Sequence, residues 1–138
     1  MSAEADPLLG PVEGAERLEV GGCVVDVVHV GEGRVKRSVY PPGFRWSRDM
    51  APEVGTDRCR YAHVGFLARG AVAGEYEDGC TFAFRAPAVV AIEPGHDAWV
   101  VGAEPAVLVE FDFERETTSR FGLPAEHGHG SAAHRTED

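Results

Sequence analysis

The sequence predicts an all-β fold, a single sandwich or barrel of about eight short antiparallel strands with flexible ends. Three observations carry this. Seventeen glycines and nine prolines cut the 138 residues into short segments. The segments between them are rich in valine, phenylalanine and other strand formers. No segment has room for the crossover helices that a parallel sheet needs.

The elements follow in order. Residues 1–20 are polar, with a weak helical turn expected around 12–18, and are read as a flexible N-terminal segment. VVDVVHV (24–30) and RVKRSVY (34–40) flank Gly31-Glu32-Gly33, the signature of a hairpin. PPGFRWS (41–47) and a loop-like stretch to residue 58 come next. YAHVGFLAR (61–69) reads as a strand broken at Gly70, and AVAGEY (71–76) continues it. CTFAFRA (80–86) and AVVAI (88–92) are separated by Pro87. DAWVV (97–101) and AVLVEFDF (106–113) complete the set. In the last strand Val107, Val109, Phe111 and Phe113 alternate with Leu108, Glu110 and Asp112, an apolar face against a mostly polar one, as in a half-buried strand. The domain is therefore expected over 21–113, with a disordered tail over 114–138.

Charge and cysteine usage narrow the function classes. The formal charge is −10, from 23 acidic and 13 basic residues, which argues against nucleic acid and anionic membrane as partners. Cys23, Cys59 and Cys80 form no CxxC pair, so a thiolate zinc knuckle is excluded. The N-terminus lacks the basic start and apolar run of a signal peptide, and a cytoplasmic, reducing environment is expected.

Three segments in order, YPPGFRWS (40–47), GTDRCRYAHVGFLARGAVAGEYEDG (55–79) and IEPGHDAWVVGAEP (92–105), resemble those of a small single-domain cupin. The resemblance covers roughly residues 24–113 and implies a jelly-roll β-barrel with a site at its mouth. It also implies where metal ligands stand. Counting back from Gly70, His63 takes the place of the family's usual glutamate. Cys59 takes that of the second histidine, and Asp57 that of the first. The usual histidine of the second motif falls on Ala98, with His96 two residues earlier, and Pro87-Ala88 replaces the family's Gly-Asp pair. Asp57, Cys59 and His63 share one parity, so a continuous strand would project all three to one face.

The expected site is thus Asp57, Cys59, His63 and His96 around a divalent zinc, iron or nickel ion, with His96 also the candidate acid or base. Trp46, Tyr61, His63 and Trp99 are the candidate walls of a pocket for a small-molecule ligand or substrate. By parity Trp99 lies opposite Ala98 and Val100, which favours the outside or a subunit contact. A competing reading makes the chain a non-catalytic ligand-binding, sensing or dimerisation module without metal. A homodimer is expected because an open sheet edge is commonly resolved by pairing. Arg37 is expected on the surface, Asp97 as a cap on backbone amides, and the tail run HGHG (127–130) with His134 as at most a weak chelator.

Overall fold

The computed structural model describes residues 6–125 and 127. Among these residues, nine strands make two antiparallel sheets. They are β1 (Glu16–Val20), β2 (Cys23–Val30), β3 (Gly33–Tyr40), β4 (His63–Arg69), β5 (Ala71–Tyr76), β6 (Thr81–Arg85), β7 (Ala88–Ile92), β8 (His96–Val101) and β9 (Ala106–Asp112). The larger sheet runs β1-β2-β3-β9-β4-β7 and the smaller β6-β5-β8. The sheets face each other without closing, so the expected barrel is an open jelly-roll sandwich. Two short helices, α1 (Trp46–Asp49) and α2 (Ala51–Val54), occupy the stretch read as loop. A 3-10 turn (Glu114–Glu116) and α3 (Thr117–Phe121) follow β9. Among the described residues, no helix is long and apolar enough to cross a membrane.

Glycines set the geometry at two points. Gly70 (φ +81°) turns the chain from β4 in one sheet to β5 in the other, a conformation open to glycine without strain. Gly65 pairs with Glu110 across β4 and β9, and a Cβ there would lie 2.0 Å from the Val109 carbonyl oxygen. The sheets enclose a core of Cys23, Phe44, Trp46, Cys59, Leu67, Val90, Val100, Ala106 and Leu108.

Ordered structure extends beyond 21–113 at both ends. Where a weak helical turn was expected, ERLEV forms β1 and pairs with β2 from Glu16↔Val27 to Val20↔Cys23. Upstream of it, the chain is held to the outer face of the larger sheet. Arg37 donates to the Leu8 carbonyl (2.6 Å) and to the Asp26 carboxylate (3.1 Å). The same carboxylate accepts from the Val12 amide (2.8 Å) and from Arg17 (2.8 and 3.2 Å). Arg37 is therefore buried, not a surface residue. At the other end Thr117 is buried and its hydroxyl accepts from the Phe113 amide at 2.9 Å, so residues 114–121 are part of the fold. The remainder of the expected tail, residues 126 and 128–138, lies outside the described residues, as do residues 1–5.

Asp26 anchors this arrangement. Asp26→Ala leaves Arg37 buried without its counter-charge and frees the Val12 amide. Its unfolding free energy is expected to fall by about 3 kcal/mol. Urea denaturation of the full chain measures the drop, and a change within a few tenths of a kcal/mol would contradict the buried pair.

Candidate functional site

Two turns and two strand starts bring the site together. His63 opens β4, and His96 opens β8 directly after the Pro94-Gly95 turn. Cys59 belongs to neither strand. It forms an isolated bridge with His96, whose carbonyl accepts from the Cys59 amide at 2.9 Å. The Gly95 amide donates to the Cys59 carbonyl at 2.7 Å. The backbone therefore locks the Cys59 and His96 positions to one another.

The side chains converge from there. Cys59 Sγ lies 3.5 Å from His63 Nε2, and the His63 and His96 ring centroids are 5.0 Å apart. One ligand atom from each of Cys59, His63 and His96 falls within 4.8 Å of the other two. Both rings are oriented from behind. His63 Nδ1 is 2.8 Å from Glu110 Oε1, and His96 Nδ1 is 2.7 Å from the Glu93 carbonyl. A carbonyl only accepts, so His96 donates from Nδ1 and turns Nε2 away from Glu93.

The electrostatics agree with a charged cluster. Burial pushes the Cys59 thiol up, but the charges and hydrogen bonds of His63 and His96 outweigh it and bring the thiol down to about 5. Burial also opposes the charge on His63, yet Glu110 and Cys59 raise it to about 10. Glu110 is lowered: burial works against its charge, and His63 more than offsets that. Cys59 is thus held as a thiolate, the form that binds metals and attacks electrophiles.

The cluster opens on a cavity of about 1210 Å³ between the sheets. Phe44, Trp46, Val100 and Leu108 form its apolar wall. Tyr61 stands half-exposed at the edge. Trp99 also borders the cavity, with the Arg45 guanidinium 4.1 Å from its ring centroid. Trp46, Tyr61, His63 and Trp99 thus line one space, although parity had favoured the outside for Trp99. Asp97 is buried and accepts from the amides of Ser47 and Ala98 at 2.9 Å, which fixes α1 beside β8 in the capping role expected of it. At the far end of the cavity, Asp112 meets Lys36 Nζ and Arg34 Nε, each at 2.8 Å. Burial raises the Asp112 carboxyl, but these two cations bring it to about 2.

Asp57 is not part of the cluster. Its carboxylate is 80% exposed and pairs with Arg60 at 3.1 Å. The parity argument assumed a strand running from 57 to 63, but β4 begins only at His63. Ala98, the position of the usual histidine, is passed over in favour of His96. Glu110 and Glu93 were missed altogether. The detectable signal was an acid in the middle of the apolar run AVLVEFDF.

No protein-family profile matches the chain, and no curated protein matches it either. Solved structures do. A Cupin 2 conserved barrel domain protein from Salinispora arenicola aligns at TM-score 0.54 and 14% identity, over 83% of this chain and 94% of its own. A cupin-like protein from Thermotoga maritima gives 0.52 and 16%, over 77% and 84%. The cupin domain of Cnp3 from Schizosaccharomyces pombe gives 0.51 and 12%, over 84% and 82%. At these identities the agreement is one of fold.

Proposed function

We propose that this cupin-fold protein binds a small molecule in its inter-sheet cavity, next to a divalent metal ion held by Cys59, His63 and His96. The observation that carries the proposal is the commitment of both Nδ1 atoms, one to Glu110 and one to the Glu93 carbonyl, while both rings face Cys59. Metal-ligating histidines are oriented by such acceptors behind them. One thiolate and two imidazoles suit zinc first, with iron or nickel as competitors, and three protein donors leave a position free for water or substrate. Bound there, the ion would supply Lewis acidity to a substrate oxygen or to water. The chain's own residues do the remaining work. Glu110 holds His63, the Glu93 carbonyl selects the His96 tautomer, and Phe44, Trp46 and Leu108 exclude water from an apolar ligand. His96 is 2% exposed with Nδ1 already donating, which favours a ligand role over the acid–base role expected of it.

A second reading has its own observation. Cys59, His63 and Glu110 stand in the order nucleophile, base and orienting acid, at 3.5 and 2.8 Å. Without metal, the Cys59 thiolate would form a thioester with an acyl substrate while His63 protonates the leaving group. Alkylation separates the two. Iodoacetamide is added to the full chain with and without zinc, and modification of Cys59 is followed by mass spectrometry. Metal ligation predicts at least about tenfold protection by zinc, reversed by a chelator. Equal rates with and without zinc would overturn it in favour of the nucleophile.

A further inference from the structure

A second cluster of donors stands apart from the cavity, at the turn between β5 and β6. Asp78, Cys80 and His127 each place one ligand atom within 4.8 Å of the other two. Asp78 Oδ1 accepts from the Cys80 amide at 2.9 Å, which pins the turn, and Oδ2 lies 3.7 Å from His127 Nε2. The His127 ring is fixed on two sides. It stacks on Tyr76 with centroids 4.0 Å apart and planes 9° apart, and its Nδ1 is 2.7 Å from Glu93 Oε1. Its Nε2 is therefore the nitrogen turned toward Asp78. A concavity of about 250 Å³, lined by Tyr76, Glu77, Asp78, Pro94, Gly95 and His127, adjoins the group.

We propose that Asp78, Cys80 and His127 form a second divalent transition-metal site, selective for zinc. A carboxylate oxygen, a thiolate and an imidazole are all zinc donors, and their separations are those of atoms that share one ion after small side-chain adjustments. A thiolate in the set argues against magnesium and calcium, which take oxygen ligands. The carboxylate of Glu93 behind His127 repeats the outer support seen at the first cluster, and such support sharpens both ring orientation and basicity. Metal entry displaces the Cys80 thiol proton to solvent and leaves a thiolate–metal bond. The ion joins the chain after α3 to the β5–β6 turn. Glu93 connects the two clusters, since its carboxylate holds His127 and its carbonyl holds His96. The second site stands on its own donors and does not depend on the reading of the first.

Cobalt(II) titration of the full chain tests it, because each thiolate–cobalt bond gives a charge-transfer absorption that can be counted. Cys59→Ser is expected to keep one equivalent of thiolate-bound cobalt, and Cys59→Ser/Cys80→Ser none. Asp78→Asn and His127→Ala in the Cys59→Ser background should each weaken binding by about tenfold or more. Cys80 sits at a partly exposed turn, so Cys80→Ser alone supplies the same reading in a chain with the core cysteine intact. It should lose one thiolate-bound equivalent relative to the parent. A parent whose thiolate–cobalt absorption is unchanged by Cys80→Ser or by His127→Ala would overturn the proposal, whatever happens at Cys59.

Discussion

His63→Ala is expected to remove one equivalent of metal per chain from the full-length protein, as counted by elemental mass spectrometry after zinc loading and dialysis. The ring supplies a donor 3.5 Å from Cys59 Sγ, and its Nδ1 lies 2.8 Å from Glu110 Oε1. Changing an outer support alone weakens metal affinity by about 10–100-fold, so deletion of a direct ligand should exceed about 100-fold. The substitution also leaves a 2%-exposed carboxylate without its counter-charge, so a lower melting temperature accompanies the loss. Glu110→Gln separates the two effects. The amide oxygen still accepts from His63 Nδ1, so the fold is retained while metal affinity falls within that 10–100-fold range. If His63→Ala keeps its full metal content, the cavity cluster is not a metal centre. The HGHG histidines cannot confuse this reading, because they are unchanged in both proteins.

Gly65→Ala is the second large effect. Its Cβ would fall 2.0 Å from the Val109 oxygen and 2.8 Å from the Glu110 Cα, both backbone atoms in the middle of β9. No rotamer change relieves an overlap with backbone, so β9 must shift and the β4–β9 ladder must loosen. Destabilisation of at least about 3 kcal/mol is expected, at or beyond the upper end of ordinary overpacking. Because β9 carries Glu110, metal affinity should fall with stability. Gly10→Ala is the control: its nearest neighbour atom lies 3.9 Å away. Urea midpoints for Gly65→Ala and Gly10→Ala that coincide would refute the close approach of β4 and β9.

The fold was legible wherever apolar runs sit between glycines and prolines. The β2–β3 hairpin and strands β4 to β9 all lie within a few residues of their expected places. β1 was not legible, because ERLEV is an edge strand with a mostly exposed, charged sequence, and its pairing is decided by β2 and not by its own pattern. The facing of β9 was also hidden. Its apolar set looked like the buried one, yet Phe111 is 46% exposed while Glu110 and Asp112 are buried. Those acids face inward because His63, Arg34 and Lys36, all distant in sequence, supply the opposing charges. Counting from turn glycines singled out His63, His96 and Cys59, whose donor atoms the structure brings together. Asp57 is set apart from them because counting residues presumes unbroken strand geometry, and the segment before β4 turns instead. Arg37 was misplaced for a related reason: what covers it is a stretch of chain that has no sequence pattern of its own.

The inward-facing acids on β9 have a consequence for how this chain responds to selection. Buried ion pairs are commonly matched or exceeded in stability by well-packed apolar residues of similar volume. A population screened only for heat resistance would therefore drift toward leucine or methionine at positions 63 and 110 together, and would end as a hardier scaffold with a filled and inert interior. Keeping charges there is what the proposed metal site would require, at a cost in endurance.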